Sequence, residues 1–244
     1  MTYRSPIFFS LVCFFHSELM AQPGISDSIL VNRMHEALTN RYYQSIKENA
    51  PFLSGVEYTG HGQGLIGHAF FDTENSYTGW LEYDGVIYKN IIMQYDLVED
   101  AIIVKDFTQN YFIKLNSQKI SSFSLGKNVF AQPAFQQKDE KVPWEGFFQQ
   151  LYNGSTTALV KRRKQVVYSA TIEKLIGRYF QYNSYYIKRG ADYYPITRTK
   201  DILKVYSDKK NEIRKFIMDK KLSFRSQPEE MIAQIAAYYE QTKK

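Results

Sequence analysis

Tyr83-Asp84-Gly85-Val86 constrains the fold more than any other stretch of the chain. An Asp-Gly pair between aromatic and β-branched arms is the strongest short-range signal for a two-residue β-hairpin, because both turn residues must take positive φ. Strand-like runs follow it in quick succession: Tyr88 to Tyr95, Ala101 to Lys105, Tyr111 to Leu115, Ile120 to Leu125 and Asn128 to Ala131. Between them stand Glu99-Asp100, Asn116-Ser117 and Gly126-Lys127, which are turn-forming pairs. A polar, proline-bounded break at Gln136 to Pro143 precedes a second set. That set comprises Gly146 to Tyr152, the Asn153-Gly154 turn, Thr156 to Lys161, Gln165 to Tyr168, and a last hairpin of Tyr185 to Lys188 and Tyr193 to Ile196. Tyr and Phe number 20 and 17 and bring the aromatic fraction to 16%, which suits pleated, half-buried surfaces better than a helical bundle.

The period changes at both ends. Ser26-Asp27 precedes Leu30, Met34, Ala37, Leu38 and Tyr42, spaced three and four apart for one face of an N-terminal helix. In the tail, Asp208 is placed to cap a helix burying Ile213, Phe216 and Ile217, and Ser226-Gln227-Pro228-Glu229 has capping-box spacing. Met231, Ile232, Ile235, Tyr238 and Tyr239 then form an apolar stripe that needs a packing partner. The expected class is α+β: a mostly antiparallel β meander, as a curved sheet, half-barrel or sandwich, with an N-terminal helix and a C-terminal helical segment.

Residues 1–21 read as a signal peptide, with Arg4 as the n-region, Ile7 to Phe15 as the apolar core and Ala21-Gln22 as the processing point. The expected division is signal peptide 1–21, β-rich domain with its N-terminal helix 22–198, and helical segment 199–244. The apolar run is shorter than the ~20 residues a membrane span needs, so no transmembrane span is expected in the mature chain. The one cysteine, Cys13, lies inside the signal, which removes disulfides, thiol nucleophiles and cysteine metal ligands from the mature protein. A net charge of +6 survives processing because Arg4 and Glu18 cancel. A basic, aromatic-rich chain raises nucleic-acid binding. Export argues against it, and no nucleic-acid motif is present.

Catalytic and ligand motifs are sparse. Gly62, Gly64 and Gly67 have Gly-x-Gly-x-x-Gly spacing, but His68-Ala69-Phe70-Phe71-Asp72 follows where a phosphate-cradling loop requires a helix. His61 and His68 lie near Asp72 and Glu74, yet their separation matches no compact zinc pattern. Asp84, Asp96, Glu99 and Asp100 offer paired carboxylates for glycoside hydrolysis, although turns account for these positions as well. No Gly-x-Ser-x-Gly elbow occurs. No catalytic residue, metal or cofactor is expected. The densest charge run, Lys161-Arg162-Arg163-Lys164, reads as the solvated tip of a hairpin, with contact to an anionic surface such as lipid headgroups as its functional reading.

Several blocks together carry a resemblance: Tyr83-Asp84-Gly85-Val86-Ile87-Tyr88-Lys89-Asn90, Tyr95-Asp96-Leu97, Lys119-Ile120-Ser121-Ser122-Phe123-Ser124-Leu125, Leu151-Tyr152-Asn153-Gly154, Tyr185-Tyr186-Ile187-Lys188 and Lys209-Lys210-Asn211-Glu212-Ile213-Arg214-Lys215-Phe216. They resemble a group of secreted or periplasmic proteins of Bacteroidota to which no activity is assigned. The resemblance implies export and a β-rich fold with a helical tail, and it assigns no site. Asp27-Ser28-Ile29 resembles the O-glycosylation acceptor of exported proteins in that phylum, with Ser28 as the acceptor. The sequence-level reading is therefore an exported protein, periplasmic or outer-membrane-associated, acting as a non-enzymatic binding module for an envelope protein or an amphiphile. A carboxylate-dependent hydrolase of envelope glycans and a lipid or amphiphile carrier are the alternatives.

Overall fold

The computed structural model describes residues 34, 38, 51–106, 111–133, 145–170 and 175–242. The expected N-terminal helix falls outside these apart from Met34 and Leu38, both helical and exposed, and Ser28 and the signal segment also lie outside them.

Eleven strands form one antiparallel sheet: β1 (Val56–Glu57), β2 (Tyr77–Tyr83), β3 (Val86–Asp96), β4 (Ala101–Lys105), β5 (Phe112–Lys114), β6 (Ile120–Leu125), β7 (Asn128–Ala131), β8 (Phe148–Asn153), β9 (Thr156–Ala170), β10 (Leu175–Arg189) and β11 (Asp192–Ile196). Their order is β1-β5-β4-β3-β2-β6-β7-β8-β9-β10-β11. The chain thus runs as a meander from β2 to β5, returns through a short 3₁₀ turn at Ser117–Lys119, and continues from the free edge of β2 through β6 to β11. Asp84 and Gly85 join β2 to β3 with φ of 49° and 76°, the left-handed pair that a two-residue hairpin requires. The sheet curls without closing. Its curl brings the β3–β4 turn against β9, where the Lys164 amide donates to the Leu97 carbonyl at 2.9 Å.

The inner face of the curl is filled by aromatic side chains. Phe123 and Phe130 are direct cross-strand partners on β6 and β7, and their rings stack at 4.9 Å. Tyr95 and Phe147 meet that pair edge-on, with centroids 5.0 to 5.3 Å apart, and meet each other at 5.9 Å. Close backbone approach is required where β2 meets β6. Gly79 lies at a register shift, and a Cβ there would overlap the backbone carbonyl of Ser124. Backbone cannot rotate away as a side chain can, so Gly79→Ala is expected to cost about 2 kcal/mol by overpacking. Urea unfolding measures this, and a loss under about 0.5 kcal/mol would contradict the close approach.

Three helices, α1 (Thr199–Val205), α2 (Lys210–Asp219) and α3 (Pro228–Gln241), cover the β8–β11 end of the sheet. The anticipated apolar stripe of α3 is buried there through Met231, Ile232, Ile235 and Tyr239, while Tyr238 stacks on Phe216 of α2 at 4.2 Å. Neither expected cap forms. Asp208 accepts from Arg189 (3.1 Å) and from the Tyr239 hydroxyl (2.8 Å), and Glu229 pairs with Arg162 of β9. In both cases a long-range cation or phenol outcompetes the local backbone amide.

Candidate functional site

Residues 58–71, the glycine-rich segment, form a strap across one face of the β9–β10 hairpin. At one end Ile66 pairs with the outer edge of β10, its amide donating to Gly177 (2.9 Å) and its carbonyl accepting from Tyr179 (3.1 Å). At the other end the Phe71 amide donates to Tyr95 (2.8 Å), and the Ala69 carbonyl accepts from Leu97 (3.0 Å), which joins β3. Between these ends Lys164, on the covered face of β9, donates to the carbonyls of His68 (3.0 Å) and Phe70 (2.7 Å). Burial, with the opposing pull of Asp96 behind it, brings the Lys164 pKa down. His68, stacked on Phe70 at 6.4 Å, also titrates below its ordinary value, first through burial and then through the nearby Lys164 ammonium.

The strap delivers His61 to the end of β3. Gly60 and Gly62 flank it with φ of 77° and 106°, a backbone path closed to residues with a Cβ. Its Nε2 lies 2.6 Å from Oδ2 of Asp96, a carboxylate with no solvent exposure. Tyr58 donates its hydroxyl to the same oxygen at 2.6 Å. The other oxygen, Oδ1, accepts the amides of Val98 (2.7 Å) and Glu99 (3.0 Å) in the turn that follows β3. Four donors thus compensate the buried charge, as burial of a carboxylate requires. Burial and then the Asp96 hydrogen bond raise the Tyr58 phenol well above its ordinary value, and burial followed by the Asp96 charge raises Tyr179, whose ring meets His61 edge-on at 6.1 Å. Glu99 stands at the solvent side and accepts from Lys114 at 2.6 Å. Donor atoms of His61, Asp96 and Glu99 all lie within 4.8 Å of one another, a spacing that one cation can span.

The basic run is not a hairpin tip. Lys161-Arg162-Arg163-Lys164 sits in the middle of β9, a single 15-residue strand paired along its length with β10. Lys161, 2% exposed, donates to the Asp100 carboxylate and to the Phe147 carbonyl (3.2 Å). Arg162 holds Glu229 through two parallel bonds of 2.9 and 2.7 Å, and its Nε donates to Gln149 at 2.6 Å. Lys164 is engaged by the strap. Only Arg163 of the four is exposed, so the expected anionic-surface contact cannot involve the run as a unit.

The four candidate carboxylates separate by environment. Asp84 is at the exposed β2–β3 turn with Lys119 at 2.9 Å, whereas Asp96, Glu99 and Asp100 share the β3–β4 turn. Asp100 accepts from the buried Tyr95 hydroxyl and from Lys161. The histidines do not converge with Asp72 and Glu74: Asp72 accepts from Tyr77 at 2.5 Å, and the Glu74 carbonyl accepts from Gln94. Tyr58, Tyr179 and the His61–Asp96 link were not legible in the sequence. The glycines bracketing His61 are the only local signal of it. Comparison with known protein families, with curated proteins and with solved structures finds no match.

Proposed function

We propose that the protein is an exported, non-enzymatic envelope protein that binds an anionic amphiphile through the open face of the β9–β10 arm. The carrying observation is a ladder of directly paired residues on the face opposite the strap: Arg163 with Tyr182, Gln165 with Phe180, and Val167 with Arg178. Tyr182, Phe180 and Val167 are 50%, 44% and 42% exposed, and both arginines are exposed as well. Guanidinium groups interleaved with aromatic and aliphatic surface match a ligand with anionic headgroups above an apolar layer. Carriage of a lipid inside the curl is disfavoured because packed aromatics occupy that space. Hydrolysis is disfavoured because Asp96 is held by four donors and Glu99 by an ion pair. Among the described residues no helix is long and apolar enough to cross a membrane.

Co-sedimentation with phosphatidylglycerol vesicles, against phosphatidylcholine vesicles, tests this reading. Each surface cation contributes about 1 kcal/mol, so Arg163→Ser with Arg178→Ser is expected to weaken binding about 30-fold. Raised salt should weaken the wild type in the same direction. Equal affinity for both vesicle types, or an unchanged double variant, would exclude the proposal.

A further inference from the structure

We infer that His61, Asp96 and Glu99 form a binding site for a divalent transition-metal ion, with Zn²⁺ as its representative. The donor set is one imidazole nitrogen and two carboxylates, within 4.8 Å of one another. Zinc binds such donors at about 2.0–2.2 Å, which places the ligand atoms of one ion a little over 3 Å apart. Nε2 of His61 and Oδ2 of Asp96 stand at 2.6 Å, so admitting an ion asks them to part by less than about 1 Å and the Nε2 proton between them to be released to solvent. His61 is carried on the glycine-flanked loop, which gives it that freedom.

What surrounds the three donors is what a metal site needs beyond its ligands. Asp96 is aimed by the two turn amides on Oδ1, and the Tyr58 hydroxyl on Oδ2 supplies an outer-sphere donor. The imidazole is held between the Tyr58 and Tyr179 rings, each 6.1 Å away. The Asp96 charge is fully buried, whereas the His61 side chain is 13% exposed and Glu99 reaches solvent, leaving an entry path on one side. Lys114 now neutralises Glu99, and the ion would take over that role. Mixed imidazole and carboxylate donors favour Zn²⁺ over Mg²⁺ or Ca²⁺, which take oxygen ligands. Three protein donors leave a fourth position for water. A bound ion would tie the strap to the end of β3, and it is independent of the amphiphile surface on the opposite face.

Equilibrium dialysis of the chelator-treated protein against Zn²⁺ and, separately, Mg²⁺, with metal quantified by mass spectrometry, tests the site. One equivalent of Zn²⁺ and no stoichiometric Mg²⁺ are expected. Loss of an outer-sphere donor costs 10- to 100-fold in affinity, so Tyr58→Phe should fall in that range and Glu99→Gln should weaken binding at least tenfold. His61→Ala should abolish the equivalent, and His68→Ala should leave it unchanged. Glu99 is exposed, so Glu99→Gln retains the fold and keeps the test decisive if His61→Ala does not fold. No bound Zn²⁺ in the wild type, or Zn²⁺ binding unaltered in Glu99→Gln, overturns the inference.

Discussion

Phe123→Ala is expected to lower the stability of the fold by about 4 kcal/mol, the middle of the range for deleting a buried aromatic ring. The side chain has no exposure and is the ring around which Phe130, Phe147 and Tyr95 are arranged at 4.9, 5.0 and 5.3 Å. It sits on β6, which joins the two meanders through its pairing with β2, so the surrounding strands cannot collapse into the void independently. Both the transfer term and the cavity term are therefore felt in full. Phe123→Leu retains most of the volume and is expected to cost less than half as much. Urea denaturation with an unchanged m-value measures both, and a Phe123→Ala loss below about 1 kcal/mol would mean that the stacked cluster does not exist as described.

Lys161→Met is the second large effect, expected at about 3 kcal/mol. Asp100 keeps its charge in a partly buried position, and breaking a buried pair by removing one partner costs 3–5 kcal/mol, reduced here because Asp100 is 28% exposed. Lys161→Met with Asp100→Asn should be less damaging than Lys161→Met alone. Asn at position 100 tolerates the φ of 54° and still accepts from the Tyr95 hydroxyl. Gly146, which packs against this pair with φ of 81°, has no room for a Cβ and stays unchanged in the comparison. The pair also sets a pH dependence. Burial lowers the Lys161 pKa from 10.5 and outweighs the Asp100 attraction, so as pH rises toward 10.5 the unfolded chain binds this proton more tightly than the folded one. Stability of the wild type relative to Lys161→Met should consequently climb with pH in that alkaline interval. A double variant as unstable as the single one would show that the carboxylate left behind is not the source of the loss.

Local rules were legible in the sequence, and long-range pairings were not. Asp84-Gly85, the strands Ala101–Lys105, Ile120–Leu125 and Asn128–Ala131, and the α3 stripe all follow from turn chemistry or hydrophobic period. The basic run was misread because four adjacent cations look solvated until their partners are known, and Asp100, Gln149 and Glu229 are scattered through the chain. The same blindness splits β9 in two and hides most of β10, whose open face runs Arg178, Phe180, Tyr182, Ser184 where a half-buried strand would show a clean alternation of apolar and polar residues. His61 and Asp96 come from separate segments with no shared motif, and only the curl of the sheet and the path of the strap bring them together.

The strap also fixes an order of events. It precedes β2 in the chain, yet its anchors on Gly177, Tyr179 and Lys164 belong to strands made much later. Non-local contacts of this kind bear a loop-closure cost that only the finished partner can offset. A nascent chain that has emerged only as far as β8 holds the aromatic curl but nothing for the strap to lie across. The Asp96 cluster needs nothing from those later strands, because Tyr58, His61, Val98 and Glu99 all precede β8; only the Ile66 pairing and the Lys164 contacts wait for the β9–β10 hairpin to arrive beneath a segment synthesised long before it.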